Sequence, residues 1–235
     1  MSALLTALDL TKTYGEGQTM ITALDHVNFA IERGTLTIIL GPSGAGKSTL
    51  LNLLGGMDAP SSGILAVDGV NIAAYSKKER TKYRRDKIGF VFQFYNLMAN
   101  LSAKENLELA TELCADKALN VEETLNNVGL GHRMNNFPAQ LSGGEQQRVS
   151  IARAIAKNPE IILCDEPTGA LDYQTGKDVL SLLYKAVREE GKTVIIVTHN
   201  TALKDLGDHL IQIKNGKVVL DEKNPHPKRI EEIEW

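Results

Sequence analysis

Nine consecutive residues of the chain read Gly41-Pro42-Ser43-Gly44-Ala45-Gly46-Lys47-Ser48-Thr49. The apolar run at 36–40 before them predicts a buried strand, and the run at 49–54 predicts a helix that ends at two glycines. A strand, the pattern G-x-x-x-x-G-K-S and a helix together make a phosphate-binding loop, or P-loop. The glycines let backbone N–H groups turn inward around phosphate oxygens, and the start of the helix adds further donors. The chain is therefore predicted to bind a nucleoside triphosphate.

Two side chains of this loop have specific predicted roles. Lys47 is placed to reach the β- and γ-phosphates, and the hydroxyl of Ser48 is placed to hold Mg²⁺. A glycine-rich turn that binds nothing is the alternative, which the complete motif with both of its flanks disfavours. The nucleotide-binding residues predicted here are Gly41, Ser43, Gly44, Ala45, Gly46, Lys47, Ser48 and Thr49.

The composition is ordinary for a globular protein. The 235 residues are 43% hydrophobic and 23% charged, and the net charge is −3. The overall charge therefore gives no indication of binding to nucleic acid or to an anionic membrane. The densest basic run, 83–87, is expected to form a solvated face. No apolar run is long enough to cross a bilayer, and the N-terminus does not resemble a signal peptide. Two cysteines without metal-site spacing fit a reduced, cytosolic protein, whose membrane role would depend on a partner.

The order of the predicted elements indicates an α/β fold. Alternating apolar residues predict antiparallel strands in the opening third, including a hairpin that turns at Asp68-Gly69. From about 101 to 137 the pattern becomes helical, with Ser102 as an N-cap, so we expect a helical insertion. Buried strands then alternate with helices to about residue 220, which predicts a mostly parallel sheet covered on both faces. The charged tail from Asp221 is expected to be loosely held until its last residues.

Polar side chains directly follow three of the predicted strands and should meet at one edge of the sheet. Asp165 can bind Mg²⁺, and Glu166 can act as a general base toward the attacking water. His199 is expected to donate a hydrogen bond to the γ-phosphate, and the amide of Gln93 can serve as a metal ligand and sense that phosphate. The alternatives are a charged strand exit, a structural histidine and a solvated glutamine.

A second phosphate-binding pattern occurs at Ser142-Gly143-Gly144, at the start of a long predicted helix. One triphosphate is already served by the P-loop. We therefore expect this second site to serve the nucleotide of a second copy of the chain, related to the first by a two-fold axis. ATP would then hold the two copies together, and hydrolysis would release them.

Six motifs in this order make the chain resemble the nucleotide-binding subunits of ATP-binding-cassette (ABC) transporters, from about residue 4 to 220. They are the Walker A loop at 41–49, Gln93 of the Q-loop, the signature at 141–147, Walker B at 161–166, the D-loop at 169–172 and the switch residue His199. The resemblance implies an ATPase that uses ATP and Mg²⁺. The resemblance also implies that Tyr14 contacts the nucleotide, because Tyr14 sits where the family places an aromatic residue against adenine. The other nucleotide-binding residues that it implies, beyond the P-loop, are Gln93, Ser142, Gly143, Gly144, Glu145, Asp172 and His199. The implied catalytic residues are Lys47, Gln93, Glu166 and His199, and the implied metal ligands are Ser48, Gln93 and Asp165.

The resemblance also implies a layout for the single domain, that of an α/β P-loop NTPase. The mostly parallel core and an antiparallel β subdomain near the N-terminus would occupy about 1–93 and 158–220. A helical lobe that carries the signature would occupy about 94–157, and a C-terminal tail would occupy 221–235.

Within the family, the chain resembles the group that includes MacB, LolD and FtsE. The segments that carry this likeness are 84–93, Asn96-Leu97, 165–172 and the closing 231–235. It implies a homodimer that works with a separate FtsX- or MacB-type membrane permease, and so lies at the inner face of the membrane through that partner. Export of peptides, antibiotics or lipoproteins, or purely mechanical work, would all be compatible with the sequence.

Two other classes of protein compete with this interpretation. A soluble ABC ATPase acting on nucleic acid or the ribosome usually has a long coiled-coil insertion, zinc-binding cysteines or two cassettes, none of which occurs here. A different P-loop enzyme, such as a kinase, would require the Ser142-Gly143-Gly144 pattern to be coincidental. We therefore expect no nucleic-acid partner.

Overall fold

The structure, a computed structural model, describes residues 3–114 and 116–233. The chain forms two β-sheets and six α-helices over these residues. Among them, no helix is both long enough and apolar enough to pass through a bilayer.

The first sheet is antiparallel and is built from the opening part of the chain. Its strands are β1 (Ala3–Tyr14), β2 (Ile21–Glu32), β4 (Ser62–Val67) and β5 (Val70–Asn71), in the order β2-β1-β4-β5. The predicted hairpin is confirmed: Asp68 and Gly69 turn between β4 and β5 with φ values of 50° and 76°. Two successive positive φ angles match the twist of the flanking strands, and aspartate and glycine tolerate them well.

The second sheet is mostly parallel, as predicted. Its strands are β3 (Leu36–Leu40), β6 (Ile88–Val91), β7 (Ile161–Asp165), β8 (Thr193–Thr198), β9 (His209–Lys214) and β10 (Lys217–Lys223), in the order β10-β9-β3-β8-β7-β6. Only β10 at the edge runs antiparallel to its neighbour. Every residue of β3 and β8 is buried, because helices or the other sheet cover both faces.

The helices divide the apolar interior into three clusters. They are α1 (Lys47–Leu54), α2 (Lys77–Lys87), α3 (Ala103–Glu112), α4 (Val121–Asn127), α5 (Gly143–Ala156) and α6 (Tyr173–Arg188). One cluster joins α1 to the antiparallel sheet and one face of the parallel sheet, and another joins α5 and α6 to the opposite face. The third cluster packs α3 and α4 against α5, so the helical insertion has its own apolar centre.

The helix α2 was not predicted from the sequence. It begins with a capping box, in which Ser76 and Glu79 bond to each other's backbone N–H groups. Within the basic run 83–87, Arg85 is exposed and Arg84 and Lys87 are half-buried. Tyr83 is buried and donates a hydrogen bond of 2.8 Å to the carbonyl of Leu54. The expectation of a simple solvated face at 83–87 was therefore wrong for Tyr83.

The C-terminal tail is more ordered than the sequence suggested. The strand β10 continues through Asp221 to Lys223, so the loosely held region does not begin at Asp221. Ile230 and Ile233 are buried in the cluster that contains α6. The hydroxyl of Tyr173 also donates to the carbonyl of Ile233, at 3.2 Å. The closing residues 234 and 235, which contribute to the subgroup likeness, lie outside the described part of the chain.

Both cysteines of the sequence are buried and unpaired. Cys164 lies in β7 with no exposed surface, and burial raises the pKa of its thiol. Cys114 is 5% exposed, and its Sγ donates to the carbonyl of Arg85. Neither sulfur is therefore available as a metal ligand or a disulfide partner at the surface.

Candidate functional site

A cleft of about 810 Å³ lies at the carboxyl ends of the parallel strands. It brings together residues that are far apart in sequence, because β3, β6, β7 and β8 all end at this edge. The predicted site residues that line it are Ser43, Gly44, Gly46, Lys47, Ser48, Thr49, Gln93, Asp165, Glu166 and His199. The prediction that these side chains meet at one edge of the sheet is confirmed.

The P-loop connects β3 to α1 and is fixed by close backbone contacts. Gly46 has a φ of 103°, and a Cβ atom there would lie 2.4 Å from the carbonyl oxygen of Ala23. Only glycine fits that position without strain.

Two predicted residues of the P-loop, Gly41 and Ala45, do not line the cleft. A Cβ atom at Gly41 would lie 2.3 Å from the carbonyl oxygen of Ile213, and the carbonyl of Ala45 accepts from Gly216 N–H at 3.0 Å.

Lys47 is the first residue of α1, and its side chain is folded back over the loop. It is 7% exposed, and its Nζ donates to the carbonyl oxygens of Gly41 and Pro42 at 2.8 and 3.1 Å. The ammonium group is thereby held among the backbone amides that the motif provides for phosphate. Its predicted contact with the β- and γ-phosphates stays a prediction.

Ser48 and Asp165 provide adjacent oxygen donors for a metal ion. The hydroxyl of Ser48 donates to Oδ1 of Asp165 at 3.4 Å, across the gap between α1 and the end of β7. Burial raises the pKa of the Asp165 carboxyl above its usual value, and the neighbouring Glu166 adds to this rise. A hydroxyl, a carboxylate and the nearby Gln93 amide suit Mg²⁺, which prefers oxygen ligands and keeps several waters. These donors fit the ion, which when bound would neutralise charge on the phosphates.

Both carboxylate oxygens of Glu166 are held. Oε1 lies 2.8 Å from Nδ1 of His199, and Oε2 accepts a hydrogen bond of 2.9 Å from the hydroxyl of Thr198. The backbone of Glu166 is left-handed, with a φ of 46°, which turns its side chain out of the direction of β7. The side chain of His199 is 65% exposed and that of Glu166 only 12%. Thr198 was missed by sequence reasoning, although it is the last residue of the strand that precedes His199.

Gln93 comes two residues after the end of β6 and lines the cleft. A Cβ atom on Gly169 would lie 3.2 Å from its Nε2. The amide of Gln93 is therefore close to the turn that follows Glu166. It shares the cleft with Asp165 and Glu166, and its role as a metal ligand stays a prediction.

Tyr14 is not among the residues that line the cleft. Its hydroxyl donates to Oδ2 of Asp58 at 3.1 Å, and Nζ of Lys12 lies 4.8 Å from the ring centroid. Its strand partner Ile21 does line the cleft, so the ring lies one strand away from it. Stacking of Tyr14 on adenine stays a prediction.

The second phosphate-binding pattern lies at the start of α5 and also does not line the cleft. Ser142 is the N-cap, and its Oγ accepts from Glu145 N–H at 3.3 Å while the Glu145 carboxylate accepts from Ser142 N–H at 2.8 Å. These contacts, the backbone one foremost, hold the pKa of Glu145 below its usual value. Gly143 and Gly144 form the first two positions of the helix.

Asp172 has a similar capping role at the start of α6. Its carboxylate accepts from the N–H and the hydroxyl of Thr175, at 3.1 and 2.7 Å, and the hydroxyl contact is the main reason that its pKa is lowered. Thr175 also packs against Gly144, where a Cβ atom would lie 2.2 Å from its methyl carbon. Asp172 and the start of α5 are therefore joined to each other, away from the cleft.

The arrangement has the parts that nucleotide hydrolysis requires. The P-loop and Lys47 can bind phosphates, Ser48 and Asp165 can hold Mg²⁺, and Glu166 is a fixed carboxylate that can accept a proton from water. These groups face one cleft, so they can act on one bound nucleotide.

Comparison with known proteins identifies the family. A model of the family described as ABC transporter matches residues 24–169, which is more than half of the chain. An uncharacterised ABC transporter ATP-binding protein of Methanocaldococcus jannaschii, MJ0796, is 47% identical over 223 residues, covering 92% of this chain and 95% of that protein. The macrolide export ATP-binding/permease protein MacB of Rhodospirillum rubrum is 41% identical over 228 residues. The match covers 95% of this chain but only 35% of that MacB.

Solved structures give the same result. The dimeric post-hydrolysis structure of MJ0796 bound to ADP and Pi matches with a TM-score of 0.86 and 44% identity, covering 93% of this chain and 98% of that one. CbiO1 of Clostridium perfringens, part of the CbiONQ transporter complex, matches with a TM-score of 0.83 and 32% identity, covering 96% of this chain and 90% of that one. The chain therefore belongs to the ABC transporter family, as an ATP-binding subunit with the ATPase chemistry and the ATP and Mg²⁺ cofactors of that family.

Proposed function

We propose that two copies of this chain close around two ATP molecules and thereby drive a membrane permease carried on a separate chain. The observation that carries the proposal is the separation of two phosphate-binding places. The P-loop lines the cleft, whereas the exposed Ser142 at the start of α5 does not. Within a single copy, the two places therefore do not line one common cleft.

A two-fold axis resolves this separation. The P-loop of one copy and Ser142-Gly143-Gly144 of the other would enclose the same ATP, and the arrangement would occur twice. The α5 helix has 14 residues, so its N-terminus offers backbone donors and a favourable dipole to the phosphates. The dimeric structures of the relative MJ0796 support this assembly.

The predicted roles follow from this arrangement. Lys47, Gln93, Glu166 and His199 would act on the nucleotide held by their own P-loop, with Glu166 as the general base and His199 near the γ-phosphate. Asp172 would lie at the contact between the copies, because it is joined through Thr175 to the start of α5. Tyr14 would reach adenine by turning its ring from Asp58 toward the cleft.

A permease-docking surface is available on the segment that follows Gln93. Phe94 is 77% exposed and Met98 is 50% exposed, and large apolar side chains exposed this close together in sequence favour an interaction site. Between them Tyr95 and Asn96 have left-handed backbones, and their carbonyl oxygens accept hydrogen bonds from the Arg153 guanidinium of α5. A force applied to this segment would therefore act on the helix that begins at Ser142.

The permease is proposed to be of the FtsX or MacB type, which the likeness to MacB supports. That protein combines an ATP-binding part with a permease, and the match covers only about a third of it. The chain would then lie at the inner face of the membrane through its permease. Its work would be export of a peptide, antibiotic or lipoprotein, or mechanical transmission.

The test is the mass in solution of the Glu166→Gln protein, measured with and without Mg-ATP by light scattering. A monomer that becomes a dimer only with Mg-ATP supports the assembly. A monomer under both conditions, and also when the permease encoded with it is added in detergent, would overturn it. Copurification with that permease, lost when Phe94 and Met98 are both changed to Ser, tests the docking surface.

A further inference from the structure

One fully buried polar side chain joins α5 to the turn that follows the proposed base. Gln147 has no exposed surface, and its Nε2 donates a hydrogen bond of 2.9 Å to the carbonyl oxygen of Pro167. The contact spans 20 residues of sequence between two elements that serve different nucleotides in the proposed dimer. It is a direct side-chain link between these two parts of the chain.

The chemistry of this contact fixes the orientation of the amide. A carbonyl oxygen can only accept, so the nitrogen of Gln147 and not its oxygen must face Pro167. Its Oε1 is then buried with no hydrogen-bond partner among the described residues. A half-satisfied buried amide lowers stability relative to a well-packed apolar side chain, and such compromises are typical of positions that serve function.

Pro167 directly follows Glu166 in a tight turn. The N–H of Glu166 donates to Val197 at 3.0 Å, and its carbonyl accepts from the N–H of Gly169 at 3.0 Å. Proline has no N–H, so its carbonyl is its only backbone hydrogen-bonding group. Gln147 therefore binds the turn through the carbonyl of Pro167, the residue directly after Glu166, whose backbone is left-handed.

The other end of the link is the phosphate-binding start of α5. Gln147 lies five residues after Ser142, a rise of about 7.5 Å along an α-helix. A displacement of the helix start along its axis is transmitted along a rigid helix to Gln147 and from there to Pro167. The same helix is packed between two apolar clusters, which limits bending.

We infer that Gln147 is a positioning residue, which transmits engagement of a second copy's ATP at Ser142-Gly143-Gly144 to the Glu166 carboxylate of its own chain. The inference rests on the proposed function, because it needs the second copy. Its consequence is that closure around one nucleotide aligns the base for the other nucleotide. The two hydrolysis sites of the dimer are thus coupled through each chain.

The first test is Gln147→Leu, which keeps the side chain's approximate size and removes the donor. We expect kcat to fall by about tenfold to a hundredfold, since small misplacements of a catalytic group have effects of this size, with KM changed less than about threefold. The Hill coefficient for ATP should fall toward one. Ser150→Ala is the matched control, because Ser150 is buried on the same helix and its Oγ has no partner among the described residues. Equal losses in both variants, with similar falls in melting temperature, would overturn the inference.

A second variant separates positioning from packing, and also serves if the leucine variant does not fold. Gln147→Glu places a carboxyl at a buried site, where its pKa is raised and its protonated form can donate to Pro167. Its kcat relative to the unmutated protein should therefore recover as the pH is lowered from 8 to 6, each protein being measured at both ends. A relative kcat that does not change with pH would contradict the positioning role.

Mixed dimers of two differently tagged copies identify the direction of the effect. With Gln147→Leu in one copy and Glu166→Gln in the other, the remaining active Glu166 belongs to the leucine copy, and hydrolysis should be slow. With both changes in one copy and an unmutated partner, the rate should equal that of a dimer carrying Glu166→Gln alone. The reverse pattern, or equal rates, would overturn the inference.

These results distinguish this inference from the proposed function. If Glu166→Gln protein fails to dimerise with Mg-ATP even with the permease, the proposed assembly is wrong. If it dimerises but Gln147→Leu hydrolyses ATP at the unmutated rate, the assembly stands and only the role of Gln147 is wrong.

Discussion

Nδ1 of the His199 imidazole lies 2.8 Å from Oε1 of Glu166, and the two residues directly follow the ends of different strands. β7 and β8 are parallel neighbours with Asp165 paired to Val197, so the residues that follow each strand are brought together. Thr198 binds the other oxygen of the same carboxylate. The orientation of the proposed base is thus set by two consecutive residues, Thr198 at the end of the neighbouring strand and His199 directly after it.

Glu166→Gln should keep ATP binding and slow hydrolysis by about a hundredfold or more, the scale expected for losing a general base. The amide oxygen can still accept from Thr198, so the local geometry should persist, but it cannot take a proton from water. Phosphate release at saturating Mg-ATP gives the rate, and a fluorescent ATP analogue gives the affinity. Hydrolysis at the unmutated rate would show that another group is the base.

Lys47→Ala should weaken ATP binding by about tenfold or more, because a charge-assisted hydrogen bond to phosphate contributes on the order of 1.5–3 kcal/mol. The affinity is measured by calorimetry with ATP in the presence of EDTA, so that hydrolysis does not interfere. Lys204→Ala is the control, since Lys204 is exposed and is not among the residues that line the cleft. Tight binding retained by Lys47→Ala would refute the phosphate role.

Ser142→Arg should leave ATP binding by a single copy intact and block ATP-dependent dimerisation in the Glu166→Gln background. Loss of an N-cap by itself lowers stability by about 1 kcal/mol, which must be separated from the effect on assembly. Ser76→Arg is the matched control, because Ser76 is an exposed N-cap with the same reciprocal bonds to a glutamate. A normal dimer from the Ser142→Arg protein would contradict the shared nucleotide site.

Asp165→Asn should raise the melting temperature of the nucleotide-free protein at pH 7 while reducing its ATPase activity at least tenfold. Burial raises the pKa of Asp165 in the folded state, so its ionised form is less favourable there than in the unfolded chain. The destabilisation is therefore present at neutral pH and disappears as the pH falls below the ordinary carboxyl pKa of 3.8.

The sign of this effect on stability is checked by thermal melts of both proteins, from pH 7 down to the lowest pH at which each stays folded. The difference in melting temperature should narrow as the pH is lowered. A difference that widens toward acid would mean that the carboxylate stabilises the folded state.

Much of the site could be predicted because local sequence determines it. The P-loop is a single continuous stretch of sequence. The relative positions of its glycines, Lys47 and Ser48 are therefore determined by the loop itself. Asp165 and His199 were predictable because parallel strands place their carboxyl ends at one edge of the sheet. Residues at the ends of such strands are therefore expected to lie close together in space.

What the sequence did not reveal depends on contacts between distant segments. The buried position of Tyr83 follows from a hydrogen bond to Leu54, and the order of the tail follows from Ile230 and Ile233 packing on α6. Neither contact has a periodic signal. By contrast, the helix α2 could have been found, since Ser76 and Glu79 form a readable capping box.

The burial of both thiols makes the chain directly suitable for site-specific labelling. A cysteine introduced at an exposed position, such as Phe94 or Lys204, would be the only thiol that a maleimide dye reaches in the folded protein. Fluorescence from such dyes can follow association of two copies without first removing Cys114 or Cys164. The unlabelled chain can report on local unfolding, because Cys164 can react only when the mostly parallel sheet opens around β7.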